Sequence, residues 1–201
     1  MSSPNRTEPP PSLGSILRHS ISRGNSPHLS VISDSMSPLL RAGDTVKLAK
    51  LDPSHLRRGT IITFDYPSEP VTLITHRYAG QLHSNGQKRL ITWADRTLMF
   101  DSPIELSSMI GCVVSRTRND QELNIQHGKG AWLSKKLSKL ATRELKWITK
   151  LDLVQDQLTE KVIANSDEKR RRSKTKIGVR LLRRANYAWA LLLTKFVEFL
   201  P

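Results

Sequence analysis

From residue 29 to residue 115 the chain alternates short runs of β-branched and aliphatic residues with clusters of turn residues. The runs at 29–32, 45–48, 60–66, 71–78, 89–93 and 109–115 have the Val, Ile, Thr and aromatic content of half-buried strands. Ala42-Gly43-Asp44, Arg58-Gly59, Tyr66-Pro67-Ser68, Ser84-Asn85-Gly86 and Asp101-Ser102-Pro103 punctuate them with residues that favour turns. Ser84-Asn85-Gly86 predicts a hairpin joining the 71–78 and 89–93 runs, or a longer polar loop in its place. Past Gly130 the spacing of apolar residues changes to three and four. Trp132, Leu133, Leu137, Leu140, Leu145, Ile148, Leu151 and Leu158 predict an amphipathic helix or helix pair, with Lys135, Lys136, Lys139, Arg143 and Lys146 on its outer side.

The two ends read differently. Residues 1–11 are rich in Pro and Ser, offer no apolar surface to offset the entropy of ordering, and read as disordered, whereas 13–19 predict a short helical turn. Residues 165–176, with the run Lys169-Arg170-Arg171-Arg172, read as a polar linker into a last helix whose first half is basic and whose second half carries Trp189, Leu192, Phe196 and Phe199. The expected fold class is mainly β: a β core at 28–127, preceded by a disordered or weakly helical segment at 1–27. An amphipathic helical segment at 128–165 follows, then a basic linker and C-terminal helix at 166–201.

Composition narrows the choices. A chain of 201 residues holds one core with appendages, and its 32 Lys and Arg against 18 Asp and Glu leave a formal charge of +14. That excess points to an acidic partner such as anionic lipid or nucleic acid, or to a solvated surface and tail. No aromatic residues interleave the basic run at 169–172 to stack bases, which argues against nucleic acid. The single cysteine, Cys112, excludes an internal disulfide and a multi-cysteine metal site, and its apolar neighbours place it inside a strand. No metal or cofactor is expected. No secretory signal segment is expected at the N-terminus, and no stretch approaches the roughly 20 apolar residues of a spanning helix; the nearest, 188–200, is interrupted by Lys195 and Glu198. A cytoplasmic or peripheral membrane location is the corresponding expectation.

The candidate chemistry begins at Ser35, in Ile32-Ser33-Asp34-Ser35-Met36-Ser37-Pro38, with Gly43-Asp44 shortly after. A serine hydroxyl becomes a good nucleophile only beside a base that takes its proton. His76, in the strand at 71–78, is such a base, and Asp95 and Asp101 are two carboxylates available to orient it. Ser35 would attack a peptide carbonyl while His76 accepts its proton and later returns it to the leaving amine. The Ser35 backbone N–H and the Ser33 hydroxyl would meet the developing oxyanion, each worth on the order of 3 kcal/mol in comparable sites. Each residue alone has an ordinary structural use; their ordered conjunction carries the inference.

In that order the segment from about 31 to 114 resembles the type I signal peptidase family, and most closely its branch with histidine rather than lysine as base. The family's Ser-x-Ser-Met-x-Pro box followed by Gly-Asp is matched by Ser33, Ser35, Met36, Pro38, Gly43 and Asp44, and its base strand ending in His-Arg by His76-Arg77. Its Lys-Gly-Asp-Asn box, with a second aspartate six residues on, is matched in part by Trp93-Ala94-Asp95-Arg96 and Asp101. The resemblance implies that Ser35, His76 and Asp101 are catalytic, that Ser33 serves the oxyanion, and that Asp95 is structural or a substitute orienter. Asp34 stands where signal peptidases often carry glycine; an acidic residue there resembles the self-cleaving repressors of the SOS response, although those use lysine as base. The membrane anchor that normally precedes the nucleophile is not expected here.

Together these residues imply a serine endopeptidase that removes a leader or signal segment from a precursor protein. The basic C-terminal helix would lie in an anionic membrane surface. A protein of a different class would also fit: a catalytically silent basic module that binds membrane or nucleic acid.

Overall fold

The computed structural model describes residues 12–66, 72–84, 86–96, 100–143 and 184–198. The turn at Tyr66-Pro67-Ser68 falls partly outside these residues. The 1–11 segment, the 144–158 part of the amphipathic pattern and the basic linker fall wholly outside. The described chain is mainly β, a single antiparallel eight-stranded sheet with three helices, the last of them C-terminal.

α1 (Leu13–Ser22) is followed by β1 (His28–Ser30), β2 (Thr45–Ala49), β3 (Ile61–Tyr66), β4 (Thr72–Ser84), β5 (Gln87–Trp93), β6 (Ile104–Glu105), β7 (Met109–Arg118) and β8 (Gln121–Asn124). Helical residues 128–143 form α2 and 184–198 form α3. The sheet runs β1-β2-β7-β3-β4-β5-β6. β7 is its spine: β2 pairs along one edge, while β8, at Ser115–Arg118, and β3, at Met109–Cys112, divide the other. Register shifts at Lys47/Leu48, Thr63/Phe64 and Tyr78/Gly80 add the local twist that lets one sheet coil around a core.

Several of these elements exceed or escape the sequence pattern. β4 continues to Ser84, past the expected end at residue 78, because β5 pairs with it through His83↔Lys88 and Ser84↔Gln87. The hydrogen-bonded ladder does not need the apolar alternation that made the first half visible. Two residues, Asn85 and Gly86, separate the paired ends, and Gly86 takes φ 73°. Asn119 and Asp120, both at positive φ, turn β7 into β8 in the same way. The helical turn expected at 13–19 is the ten-residue helix α1, capped by the Ser12 hydroxyl and burying Leu17 and Ile21.

The main core gathers those two side chains with Met36, Leu39 and Leu40, Val46 and Leu48 of β2, and Leu133 and Leu137 of α2. Ala190 and Val197 of α3 close it. A second cluster, with Ile62, Phe64, Tyr78, Leu90, Ile104 and Cys112, fills the other side of β3 and β4. Cys112 is a buried free thiol whose ionisation burial pushes up, in keeping with a packing role. Gly111 is a tight crossing within the sheet. A Cβ there would stand 2.7 Å from the Ala49 backbone carbonyl oxygen, which the β2–β7 ladder holds in place. Gly111→Ala is therefore expected to lower unfolding stability by about 2 kcal/mol, measured by denaturant titration, whereas alanine at a strand glycine with open space would be neutral or stabilising.

Candidate active site

Residues 31–44 form a loop whose mouth is closed by Val31 N–H donating to Asp44 O (2.8 Å) and Gly43 N–H to Val31 O (2.9 Å). Gly43 reverses the chain at φ 90°. Inside the loop Met36, Leu39 and Leu40 are 2%, 0% and 1% exposed, so three apolar side chains hold it down on the core. The Asp34 carboxylate accepts from Ala42 N–H (3.1 Å), spanning the loop above them. Ser35, partly exposed, is thus presented at the surface by residues that have no chemistry of their own.

β4 carries His76. His76 and Arg77 are neighbours on a strand and project to opposite faces. His76 sits across from Ile62, edge-on to Phe64, and its Nε2 lies 3.1 Å from Ser35 Oγ. Its Nδ1 lies 2.7 Å from Asp101 Oδ2. A carboxylate only accepts, so Nδ1 carries the proton and Nε2 faces the serine as acceptor. Asp101 is placed by its own N–H donating to Thr92 O (2.9 Å), and its Oδ2 also accepts from the Thr92 hydroxyl at 2.6 Å. Burial pushes the Asp101 carboxyl up, but hydrogen bonds from His76 and Thr92 and the proximity of the imidazole outweigh it and hold the group below the ordinary carboxylate value.

Arg77 is fully buried on the other face. Asp95 accepts from its Nε (2.6 Å) and Nη2 (2.9 Å), and its Nη1 donates to Gly59 O (3.0 Å) and Ser134 Oγ (2.9 Å). Both Asp95 oxygens are occupied by this guanidinium, which makes Asp95 a structural counter-ion rather than a second orienter of His76. Ser33 is exposed, with its Oγ 3.3 Å from Ser35 Oγ. Arg96 N–H donates to Ser35 O (2.9 Å), tying Ser35 to the Asp95 turn. Thr92 and the Arg96 amide went unmarked in the sequence, where a threonine in a strand and a backbone donor carry no distinguishing signal.

Beside Ser35 and His76 runs an open groove of about 710 Å³, walled by the extended residues 29–33 and by Leu73, Ile74 and Thr75 of β4, with the start of α1 at one end. Its surface is mainly apolar, through Leu29, Val31, Leu40, Val46 and Leu73. The β4 wall precedes Arg77, where pairing with β5 begins, so among the described residues this stretch is paired by β3 on one side only.

α3 braces the loop that carries Ser35 from both ends of the helix. Tyr187 Oη lies 3.0 Å from Ser37 Oγ, and its ring lies under the Arg96 guanidinium. Eleven residues on, Glu198 accepts from Arg116 (2.5 Å) and Arg118 (2.7 Å). Arg118 in turn donates to both oxygens of the buried Asp44 at 2.7 Å and lies 3.3 Å from Leu39 O. Burial pushes the Arg116 guanidinium below its ordinary value.

No protein-family model matches the chain, and no curated protein matches it at a significant level. Among the described residues no cluster of His, Cys, Asp or Glu has the makings of a metal site, and no helix is long and apolar enough to cross a membrane.

This geometry sets two expectations for stability. Because the folded Asp101 pKa is depressed, its contribution to stability is complete above the unfolded value near 4 and is lost as pH falls through the lower folded value. The melting-temperature difference between wild type and Asp101→Asn is expected to be largest near neutral pH and to shrink below about pH 4. Glu198→Gln leaves the buried Arg116 with Asp44, 4.0 Å away, as its remaining counter-charge, and is expected to cost about 2 kcal/mol in chemical denaturation.

Proposed function

We propose that the protein is a serine endopeptidase of the signal-peptidase type, which cleaves a leader segment from a precursor protein through Ser35, His76 and Asp101. The observation that carries this reading is the unbroken run from the Thr92 hydroxyl to Asp101 (2.6 Å), from Asp101 to His76 Nδ1 (2.7 Å) and from His76 Nε2 to Ser35 Oγ (3.1 Å). Nucleophile, base and orienter stand within hydrogen-bond reach, as general-base catalysis demands. Ser35 Oγ attacks the scissile carbonyl carbon as its proton passes to Nε2. The imidazolium, stabilised by Asp101, protonates the leaving amine, and an acyl group remains on Ser35. Water then attacks the ester, gives its proton to Nε2, and releases the acid as the serine recovers its hydrogen. Among the described residues nothing accepts from the Ser35 N–H in this structure, which leaves it available to the oxyanion together with the Ser33 hydroxyl.

The groove favours an extended substrate, lying along residues 29–33 and the start of β4 as an added strand; the resemblance to signal peptidases adds small side chains beside the scissile bond. We also propose an anionic membrane surface as a partner, through the outer face of α3. Trp189, Leu192 and Phe196 are 53%, 65% and 60% exposed there, flanked by Arg184 and Lys195. Lys176, Arg180, Arg183 and Phe199, which extend that pattern in the sequence, lie outside the described residues. The same face would serve the other class of reading, a basic module that binds membrane or nucleic acid without catalysis. That reading requires salt-dependent binding indifferent to Ser35→Ala and no proteolysis.

Incubation of the purified chain with a mixture of unstructured peptides, read by mass spectrometry, is expected to give cleavage after small residues. Ser35→Ala and His76→Ala are each expected to lower kcat/KM by at least about 10⁴-fold, and Asp101→Asn by about 10²- to 10⁴-fold. Cleavage that survives both of the first two substitutions contradicts the assignment.

A further inference from the structure

A second concavity, of about 850 Å³, lies between residues 51–61 and α2. Arg57, Arg58, Lys135, Lys139, Arg143 and His55 line it, and among the described residues no carboxylate does. The spacing of four between Lys135, Lys139 and Arg143 aligns them along one side of α2, an arrangement in which each like-charged pair costs a few tenths of a kcal/mol in an isolated helix. None of the five Lys and Arg side chains forms an ion pair with a described carboxylate. Beneath this rim the lining is aliphatic, through Leu51, Ile61, Val113 and Ile125.

We infer that this cleft is a binding site for an acidic amphipathic peptide segment, whose carboxylates meet the basic rim while its apolar side chains cover the aliphatic floor. Charge complementarity selects the acidic partner. The shape and floor select a peptide over the other polyanions. Nucleic acid held without sequence preference stacks its bases on aromatic rings, and none lines this cleft among the described residues; a lipid surface meets a convex or flat face, whereas this one is concave. An amphipathic segment laid in a groove, with anchors at helical spacing, fits both walls.

The cleft also touches the support of the catalytic strand. Gly59 and Ser134 both line it, and they are the groups that receive Arg77 Nη1. Arg77 follows His76, so a bound segment would rest on the polar cluster that holds β4 at the base. The inference does not depend on peptidase activity, because binding is measurable in a protein without its nucleophile.

The test uses full-length Ser35→Ala protein and a fluorescent peptide in which Leu and Glu recur at helical spacing, followed by anisotropy at about 0.05 M and about 0.3 M salt. Saturable binding is expected, weakened at least about tenfold by Lys135→Glu/Lys139→Glu, weakened less by Lys139→Gln, and lost when Gln replaces Glu in the peptide. Circular dichroism of both variants establishes that they fold. Binding unchanged by the charge reversal overturns the inference, as does no saturable binding of the peptide. Tighter binding of a single-stranded oligonucleotide or of phosphatidylserine vesicles at the same residues assigns the cleft to a different partner and overturns it equally. Acetylation footprinting of the free protein that finds Lys135 and Lys139 protected gives the cleft to the chain's own acidic residues beyond Arg143, with the same consequence.

Discussion

A guanidinium with no solvent exposure must have its donors met inside the protein, and Arg77 imposes that constraint on this fold. Asp95, the Gly59 carbonyl and the Ser134 hydroxyl answer it, and they come from the turn after β5, the loop before β3 and α2. Removing a counter-ion from such a pair costs several kcal/mol, which is far more than a surface contact contributes. Three separate stretches of chain are therefore drawn to one side of β4. Because strand neighbours point to opposite faces, fixing Arg77 fixes the direction of His76 on the other side.

On that other side the geometry depends on a second anchoring, of a different kind. The loop that carries Ser35 has no regular structure, and its position comes from Met36, Leu39 and Leu40 buried beneath it and from Asp44, held by Arg118. α3 reaches both arrangements, through Tyr187 at Ser37 and through Glu198 at Arg118. The C-terminal helix is thus part of what places Ser35, beyond any role of its outer face. The proposed peptidase asks for a hydroxyl held within a few tenths of an ångström of a base, and buried ion pairs beneath an apolar-anchored loop are a physical means of holding it.

The strands with apolar alternation were legible in the sequence, as were the Ser35 box and the strand carrying His76, because period-two patterning and turn residues report directly on which face is buried. The second half of β4 was not legible. Gln81 and His83 are exposed and polar there, so backbone pairing with β5 alone defines the strand. The residues before β1 read as a weak helical turn, yet Leu17 and Ile21 sit in the main core through packing on a distant strand, which local sequence does not encode. Asp95 and Asp101 differ most plainly. Both follow the same strand, and residue chemistry alone did not separate them; the family resemblance singled out Asp101, and the fold sets Asp95 against Arg77 and Asp101 against His76. Nor could the sequence disclose the basic cleft, since Arg57 and Arg58 meet Lys135 and Lys139 only when α2 folds back beside the sheet.

The most direct test of the central claim is covalent. An acylating or phosphonylating serine probe reacts with a hydroxyl only where a base has activated it. Peptide mapping of the labelled protein is expected to find the adduct on Ser35 alone, and to find it lost when His76 is replaced by alanine in a protein that still folds. Labelling at any other residue, or labelling of Ser35 that proceeds unchanged without the imidazole, contradicts the account.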